Sequence, residues 1–435
     1  MSRIYRNIII VISILVVICF AAVMFALYGN FNLKTNNSIE MSEIVKPTID
    51  ENIYQSVINE TEYETTIDES ENISEVDVAN SIASTSIDRY KASDNFAKVD
   101  LRDKKDVFCF VGDVFLSKKP RAAYDEKGLE GIIDDGYLNI LQSSDFNIAN
   151  LECSITDDTE NAEDKTFTFA LPTKYVKPLK EVGFNLFTLA NNHILDYGID
   201  SMKNTMKVLD ENGISHIGVG NNVYDAKKAY IKEIEGKRYA FLGASSVLPS
   251  DNWKADVDKA GVFNGYNIGE LCEEIKYVRP YVDKVIVYMH WGRELETVSN
   301  TWQKQYARRI VDAGADLVVG AHSHMVQEIE YYNDVPIVYS LGNFIYGGTM
   351  RDTMLVSATF DYSIDKKGTL QLQIYTGLSN YEKVRRDWKR EEILAKINEL
   401  QSKSSTCYIG DNGYVFTMSQ VMEALKSLES PAKIN

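Results

Sequence analysis

From about residue 105 onward, short apolar runs alternate with longer segments in which apolar residues recur at helical spacing. Apolar runs of this length are typical of buried strands, and a period of 3.6 residues is typical of amphipathic helices. The predicted strands are Asp106–Val111, Asp145–Asn150, Asn185–Ala190, Tyr239–Ala244, Lys284–Met289 and Asp316–Gly320. The predicted helices are Leu129–Gln142, Lys174–Val182, Ile199–Asn212, Ile268–Tyr281 and Trp302–Ala313. Such alternation predicts a layered α/β domain with a largely parallel sheet.

The pattern changes in the last third of the chain, where predicted strands follow one another without helices between them. These strands are Val326–Tyr332, Pro336–Ser340, Thr353–Tyr362 and Thr369–Thr376. A parallel set followed by an antiparallel set predicts two sheets packed together, with helices outside, over residues 105–384. We predict that residues 385–435 form a helical tail with helices at Glu391–Ser402 and Ser419–Leu428. This tail is expected either to pack on the domain or to contact a partner.

The N-terminal residues 1–29 combine a short basic stub with a long apolar run. Ile8–Leu27 is uncharged and spans 20 residues, enough to cross a hydrocarbon core of about 30 Å as a helix. Arg3 and Arg6 precede the run, so the positive-inside rule predicts a cytoplasmic N-terminus and an exported remainder. The alternative is a cleaved signal peptide. The length of the run and the lack of a clean small-residue exit favour an uncleaved membrane anchor.

Residues 30–104 are rich in Ser, Thr, Asn, Glu and Asp, and their apolar residues follow no steady period. Between Thr35 and Asp100 there are 15 acidic and 4 basic residues, a net charge of −11 out of −17 for the whole chain. Such a segment buries too little apolar surface to offset the ordering of its backbone, so we predict a disordered linker. Because the chain has no basic cluster, its composition argues against nucleic acid as a partner.

Histidine is the most informative residue type, because the chain has only five and four of them stand in Asn- or Gly-flanked motifs. These four are His193, His290, His322 and His324, whereas His216 stands apart. Imidazole is a common ligand of zinc, iron and manganese and a general acid near neutral pH. The sequence therefore predicts one metal site. The scattered cysteines show no metal-binding spacing and are expected to be isolated buried thiols.

The candidate ligands each follow a predicted strand. Gly112-Asp113, Asn150-Leu151-Glu152, Asn191-Asn192-His193, His290-Trp291-Gly292 and Gly320-Ala321-His322-Ser323-His324 are the motifs concerned. The carboxyl ends of strands in an open α/β sheet share one edge, so these side chains are expected to meet there. Mixed carboxylate, amide and imidazole ligands suit a borderline divalent ion. A metal pair about 4 Å apart would activate water and clamp a phosphoryl or similar group.

The motifs occur in order from about Asp106 to Tyr346 and also include Asn191-Asn192-His193-x-x-Asp196-x-Gly198 and Tyr339–Phe344. Together they resemble the motifs of the capsule synthesis protein CapA family. That family is associated with poly-γ-glutamate synthesis and belongs to the calcineurin-like metallophosphoesterase superfamily. The resemblance implies a four-layer α/β/β/α sandwich of metallophosphatase type, here preceded by one transmembrane helix and a disordered linker.

The resemblance also implies roles for individual residues. Asp113 and His324 would bind the first metal, Glu152 would bridge, and Asn192, His290 and His322 would bind the second. His193 would be the general acid or stabilise charge in the transition state, and Asp196 would orient it. Trp291, Arg293 and Glu294 are candidates for substrate binding, although a surface role for Arg293 is almost as well supported. The superfamily usually begins with Asp-x-His, but Phe115 follows Asp113-Val114 here, so the first metal position lacks an imidazole.

Two functional hypotheses follow. The first is a membrane-anchored, extracytoplasmic, metal-dependent hydrolase of capsule or poly-γ-glutamate assembly, binding one or two Mn, Zn or Fe ions and acting on a phosphoester or, as the weaker option, an amide. The second is a non-catalytic scaffold or export subunit that keeps a degenerate metal site, which Phe115 and the C-terminal tail favour. Other synthesis subunits and an anionic polymer are possible partners. An intracellular phosphoesterase is contradicted by the anchor.

Overall fold

The computed structural model describes residues 105–160, 162–363, 365–387, 389–402 and 406–429. The predicted membrane anchor and linker, residues 1–29 and 30–104, lie outside the described residues. Within the described ranges, no helix has both the length and the apolar character needed to span a bilayer.

The strands are numbered in chain order. They are β1 (Lys105–Val114), β2 (Phe146–Leu151), β3 (Ser154–Ile155), β4 (Ala170–Leu171), β5 (Leu186–Thr188), β6 (Ser215–Ile217), β7 (Val219–Gly220), β8 (Tyr230–Ile234), β9 (Lys237–Ser245), β10 (Gly261–Val262), β11 (Lys284–His290), β12 (Leu317–Ala321), β13 (Ile329–Tyr332), β14 (Val335–Val338), β15 (Arg351–Asp361), β16 (Thr369–Ser379), β17 (Val384–Arg386), β18 (Cys407–Ile409) and β19 (Val415–Thr417).

The α-helices are numbered in the same way. They are α1 (Lys118–Lys127), α2 (Asp135–Ser143), α3 (Val176–Val182), α4 (Gly198–Glu211), α5 (Val223–Ala226), α6 (Ile268–Val278), α7 (Thr301–Asp312), α8 (Arg390–Ser402) and α9 (Met418–Glu429). Local sequence explains where some of them begin. For example, α7 starts with a capping box in which the side chains of Asn300 and Gln303 each accept a hydrogen bond from the other's backbone N–H.

Among the described residues, the strands form two large sheets. The first sheet has the order β17-β16-β15-β1-β2-β5-β6, and the second has the order β13-β14-β12-β11-β9-β8. Strands β1, β2, β5 and β6 run parallel, as do β9, β11, β12 and β14. The prediction of an α/β fold with sheets is therefore confirmed.

The division of strands between the sheets differs from the sequence-based expectation. The late antiparallel strands β15, β16 and β17 do not form a sheet of their own, because β15 pairs with β1 at the edge of the first parallel set. Strand β14 instead extends the second parallel set. Periodicity identifies a strand but not its partner, since pairing depends on residues that are distant in the sequence.

The two sheets pack face to face through alternate residues of their strands. One apolar cluster contains Phe108 and Phe110 of β1 together with Phe241 of β9 and Ile286 and Tyr288 of β11. All five side chains are almost completely buried. Because successive side chains of a strand point to opposite faces, this alternation gives each sheet one face toward the other sheet and one face toward helices.

Helices cover the outer faces of both sheets. Cys109 and Val111 of β1 lie in a second cluster with residues of α2, α3 and α4. Val285 and Val287 of β11 lie in a third cluster with residues of α6 and α7. The described residues therefore form layers in the order helix, sheet, sheet, helix. The cysteines at 109, 153, 272 and 407 are free and buried.

The C-terminal region differs from the predicted helical tail. Strand β17 continues the first sheet across the expected boundary at residues 384 and 385, and β18 and β19 form a hairpin between α8 and α9. Ile393 and Ile397 of α8 are each 1% exposed and belong to the cluster between the sheets. The tail is thus part of the domain core. Its short strands, three residues each, carry too little periodicity to be recognised in the sequence.

Candidate metal centre

The candidate ligands lie at the carboxyl ends of strands that belong to both sheets. Asp113 lies at the end of β1 and Glu152 follows β2, both in the first sheet. His290 ends β11, and His322 follows β12, both in the second sheet. The expectation of a single sheet edge is corrected here, because two facing sheets contribute their strand ends to one buried space.

Glu152 is at the centre of this space. Its Oε1 lies 3.6 Å from His290 Nε2, and its Oε2 lies 3.8 Å from His324 Nδ1. Two groups of potential ligand atoms share this carboxylate. Glu152, His290 and His322 form one, and Asp113, Glu152 and His324 form the other, each with its ligand atoms within 4.8 Å of one another. Asn192 joins the first group through its Oδ1, which lies 2.8 Å from His290 Nε2.

These residues suit a divalent cation. Among the described residues, neither carboxylate oxygen of Glu152 has a hydrogen-bond partner of ordinary geometry, and the same holds for Nδ1 of His322, although all three atoms are buried. The Tyr346 hydroxyl group interacts with the Glu152 carboxylate. Leaving a buried polar atom without a partner costs about 1–3 kcal/mol, and more for a charged group. A cation would satisfy all three atoms, and carboxylate oxygen with imidazole nitrogen is a ligand set typical of zinc, manganese or iron.

The imidazoles of His290 and His322 are neutral at physiological pH. Burial lowers the pKa of His290 far below its ordinary value, and electrostatic coupling to the neighbouring rings of His322 and His324 lowers it further. Burial and the charge of His324 lower the pKa of His322 to about 3. Neutral imidazole is the form that binds metals, so both rings are ready to act as ligands.

The pKa values of His324 and Glu152 are raised, whereas those of His290 and His322 are lowered. Burial alone would lower the pKa of His324, but the charges of Glu152 and Asp113 outweigh it and raise the pKa to about 10. Burial and the charge of Asp113 raise the pKa of Glu152 well above its ordinary value. Asn343 Oδ1 lies 2.8 Å from His324 Nδ1 and fixes the ring. In the absence of a cation, a protonated His324 therefore compensates the acidic pair.

The backbone around His322 and His324 is strained. Their φ angles are 97° and 57°, in the left-handed region that non-glycine residues rarely adopt. Such conformations cost of the order of 1–3 kcal/mol each and are concentrated at functional sites. The segment that carries the two rings is therefore bent and not extended. Their centroids are 6.1 Å apart, and the His290 and His322 centroids are 4.7 Å apart.

Two glycines allow the backbone segments of the site to approach each other closely. A Cβ atom on Gly112 would overlap the carbonyl oxygen of Gly342. A Cβ atom on Gly320 would overlap the carbonyl oxygen of Tyr339. Glycine is therefore required at both positions for steric reasons.

His193 lies beside the ligand groups in a well-defined environment. Its Nδ1 lies 2.6 Å from Asp196 Oδ2, which also accepts a hydrogen bond from the backbone N–H of Phe169 at 2.7 Å. The Phe169 ring stacks on the imidazole with a centroid distance of 4.0 Å. Burial lowers the pKa of His193, although hydrogen bonding to Asp196 and its charge partly oppose this effect. In the pair His193–Asp196, the carboxylate orients the imidazole, which suits the ring to proton transfer.

Lys165 completes this arrangement, although no sequence pattern indicated it. Its Nζ donates hydrogen bonds to Asp196 Oδ1 and to the carbonyl oxygen of Asn192, each at 2.5 Å. It also lies 5.0 Å from the ring centroid of Trp253, within the range of a cation–π interaction. Lys165 belongs to an irregular loop with several acidic residues, where no periodicity or motif indicates a site residue.

Two asparagines also contribute in ways that the motifs did not reveal. The Nδ2 of Asn150 donates to Asp113 Oδ1 at 2.8 Å and lies 3.3 Å from His290 Nδ1, so it links the two sheets. The Nδ2 of Asn191 donates to Asn150 Oδ1 at 3.0 Å. Asn150 lies near the end of β2 and Asn191 lies three residues after the end of β5, so their place at strand ends is the sequence signal that could have identified them.

The residues considered for substrate binding have different environments. Trp291 is 1% exposed, and its Nε1 donates to the carbonyl oxygen of Tyr339 at 2.9 Å, so it mainly supports the strand ends. The side chain of Arg293 is 78% exposed beside a pocket of about 330 Å³. The charge of Glu294 contributes to the raised pKa of Glu152. His216 pairs with Asp210 at 3.3 Å and belongs to neither ligand group.

Comparison with known proteins agrees with the motif series. Residues 107–347, more than half of the chain, match the family described as bacterial capsule synthesis protein PGA_cap. The chain is 31% identical over 312 residues to the PGA biosynthesis protein CapA of Bacillus subtilis (strain 168), covering 70% of this chain and 80% of that protein. It is 30% identical over 279 residues to the capsule biosynthesis protein CapA of Bacillus anthracis, covering 62% of this chain and 67% of that protein.

Among solved structures, the chain is similar to a phosphatase from Mycoplasma pneumoniae, with a TM-score of 0.42 and 13% identity. That alignment covers 64% of this chain and 95% of the other. The family match and the identity to its relatives lead to a firm assignment. The chain belongs to the bacterial capsule synthesis protein PGA_cap family, the CapA family that its motifs resemble.

Proposed function

We propose that this protein is a metal-dependent hydrolase of phosphoesterase type that acts outside the cytoplasm in capsule or poly-γ-glutamate assembly. In this proposal, the domain has the four-layer arrangement of metallophosphatases, and residues 1–29 anchor it in the membrane. The apolar run Ile8–Leu27 and the two N-terminal arginines support the anchor and the exported location.

One observation carries the catalytic part of the proposal. Glu152 is completely buried between two groups of ligand atoms, and neither of its carboxylate oxygens has a hydrogen-bond partner of ordinary geometry in the described part of the chain. Without a cation, the charge of a protonated His324 offsets the two carboxylates of Glu152 and Asp113 only in part. A bound cation offsets them more fully, which matters because buried charge that is not compensated is strongly unfavourable. A shared, cation-bridging ligand is the function that best explains its position.

The ligand groups suit one or two ions of manganese, zinc or iron. The group with Asn192, His290 and His322 would hold one ion, and the group with Asp113 and His324 would hold the other. When bound, such an ion supplies Lewis-acid polarisation of a phosphoryl oxygen and lowers the pKa of a water molecule.

The residues beside the ligand groups perform the proton transfer in this proposal. In its imidazolium form, with the Nδ1 proton held by Asp196, His193 donates the Nε2 proton to the leaving oxygen, or donates a hydrogen bond from Nε2 to the developing negative charge, and the neutral ring then takes up a proton from solvent. Asp196 accepts from Nδ1 and so holds the ring in one orientation. Lys165 holds Asp196 and the Asn192 backbone in place and balances the carboxylate charge.

The proposed substrate class and partners rest on charged residues near the metal centre. Arg293 at the rim of the 330 Å³ pocket provides a cation for an acidic substrate, and Glu294 lies close enough to affect the site electrostatically. We propose an anionic polymer or its phosphorylated precursor as substrate class and other synthesis subunits as partners.

Metal analysis combined with a substrate panel tests the proposal. We expect purified full-length protein to contain stoichiometric divalent metal and to hydrolyse a phosphomonoester or phosphodiester from a panel that also includes γ-glutamyl amides. His322→Ala should lose both properties, whereas His216→Ala, the same substitution outside the ligand groups, should keep them. Wild-type protein without bound metal, or a His322→Ala variant indistinguishable from wild type, would exclude the enzymatic function.

A non-catalytic scaffold is the second candidate, and Phe115 supports it. This ring, 8% exposed, stacks on Phe169 at a centroid distance of 4.6 Å, where the superfamily has an imidazole. If Asp113→Ala and His193→Ala variants still restore polymer production in a strain that lacks the protein, the scaffold function is supported. Deleting residues 385–435 is unsuitable as a test, because it removes the core residues Ile393 and Ile397.

A further inference from the structure

The pocket of about 330 Å³ beside the candidate metal centre has a lining that metal binding and proton transfer do not use. Four of its lining residues are aromatic, namely Tyr266, Trp291, Trp302 and Tyr306, and we call it the aromatic pocket. Small-molecule sites are typically lined by aromatic and apolar side chains with a few polar groups, and have volumes of about 300–1,000 Å³. The aromatic pocket therefore has the size and the lining that suit a small ligand.

Two of the four rings are open to solvent. Trp302 is 66% exposed and Tyr266 is 50% exposed. The buried residues of α7 are Gln303, Ala307, Ile310 and Val311, so Trp302 does not contribute to the core-facing side of its helix. A single exposed apolar residue is common on a protein surface, but exposed rings that share one concave pocket indicate a binding surface.

Contacts among the rings hold them in place. The hydroxyl group of Tyr306 donates to the carbonyl oxygen of Tyr266 at 3.2 Å, which joins α7 to the loop before α6. The rings of Trp302 and Tyr306 meet edge to face, with their centroids 6.1 Å apart. Because the rings are already ordered, a ligand that stacks on them loses little binding free energy to the ordering of side chains.

Polar groups also line the aromatic pocket. Asn300 uses its Oδ1 to accept a hydrogen bond from Gln303 N at the start of α7, so its Nδ2 remains available as a donor. The side chains of Ser246 and Arg293 also line the pocket, and that of Arg293 is 78% exposed. A wholly apolar ligand would remove these groups from water without replacing their hydrogen bonds, which is unfavourable. The ligand that fits has an apolar face for the rings and hydroxyl groups for the polar side chains.

The aromatic pocket is connected to the metal centre through the backbone. Residues 291–293 of its lining directly follow His290, the ligand that ends β11. Ser246, which directly follows β9, donates from its backbone N–H to the carbonyl oxygen of His290 at 2.9 Å. The pocket therefore lies at the carboxyl ends of the same strands that position the candidate ligands, where ligands bind in α/β sheets.

We propose that the aromatic pocket binds a pyranose ring of a saccharide, which stacks on Trp302 and forms hydrogen bonds with Asn300 and Ser246. A pyranose ring has C–H groups on its faces and hydroxyl groups around its edge, and both features match the lining. The inference goes beyond the proposed function, because binding of the saccharide requires neither a metal ion nor hydrolysis. It identifies a second ligand class for the protein, at a place next to the candidate metal centre.

Calorimetric titration of the full-length protein with a saccharide panel tests the proposal. The panel contains trisaccharides of glucose, of N-acetylglucosamine and of glucuronic acid, so that neutral and acidic sugars are compared, and a chelator is present throughout. We expect wild-type protein to bind at least one of them. Trp302→Ala should bind that saccharide about 10-fold more weakly, because the stacking face is lost, and Trp302→Phe about 3-fold more weakly, because a smaller face remains.

The matched control is Tyr408→Ala, which removes a partly exposed ring outside the aromatic pocket and should bind the saccharide as wild type does. Thermal unfolding should give the same midpoint for Trp302→Ala and wild type, since the ring is largely exposed. Wild-type protein that binds no saccharide of the panel, or Trp302→Ala with wild-type affinity, overturns the inference. Because the titrations contain a chelator, these results are independent of the metal analysis that tests the proposed function.

Discussion

The two ligand groups that share Glu152 differ in their charge and in the hydrogen-bond partners that their atoms have when no cation is bound. In the group with His290 and His322, both imidazoles are neutral, and Nδ1 of His322 has no partner in the described residues. In the group with Asp113 and His324, the imidazole is protonated and lies 3.2 Å from Asp113 Oδ2.

This difference indicates how easily each group accepts a cation. The neutral group offers free lone pairs, whereas the acidic group already contains an internal positive charge. A cation that enters the acidic group must displace the proton of His324, so its binding is coupled to proton release. We therefore expect the group with His290 and His322 to bind its ion more tightly.

The largest effect is expected for Glu152→Gln, which removes the feature common to both groups. Losing the shared charge should weaken metal binding at both groups more than about 100-fold, since even indirect partners of metal ligands contribute 10–100-fold. Metal content after dialysis measures this effect. Glu294→Gln, which removes an exposed neighbouring charge, serves as control and should retain the metal.

The next effect separates the two groups. His322→Ala should lose the tightly bound ion, whereas His324→Ala should keep it and lose only the weaker one. Titration of metal-free protein with Mn²⁺ or Zn²⁺ gives the stoichiometry and affinity of each variant. Equal losses in the two variants would show that the groups act as one site and would contradict the comparison.

A smaller effect is expected for Lys165→Met, which changes neither ligand group. Loss of the contacts to Asp196 and to the Asn192 carbonyl should lower the hydrolysis rate about 10-fold, in the range found for indirect supporting residues. The metal content should stay at the wild-type level. Lys165→Arg keeps the charge and should recover part of the rate, and a Lys165→Met variant with wild-type kinetics would argue against an orienting role.

The smallest effect concerns the stability of the metal-free protein as a function of pH. His322 has a lowered pKa in the folded state, so stability should decrease as the pH falls from about 6.5 toward 3. His324 has a raised pKa, so its contribution should be complete below about 6.5 and lost as the pH rises toward 10. Urea unfolding in the presence of a chelator measures the free energy of unfolding as a function of pH. His322→Asn should reduce the loss of stability on the acidic side, and His324→Asn should reduce the loss on the alkaline side.

Much of the fold could be predicted from local sequence. The predicted strand Lys284–Met289 is observed as Lys284–His290, and the predicted helix Ile199–Asn212 as Gly198–Glu211. The helix has clear periodicity because one face is buried, and the strand is a continuous apolar run because both of its faces are buried. The pairing of β15 with β1, and the packing of α8 into the core between the sheets, could not be predicted because they depend on contacts between distant residues.

The sequence by itself determined the family, the α/β class and the strand-end positions of the Asp, Glu, Asn and His motifs, because these are encoded in local residue patterns. Only the tertiary structure decided that two facing sheets bring those motifs together. It also decided that Lys165 supports Asp196. These features arise from packing between segments far apart in the chain, and no local pattern of side chains records them.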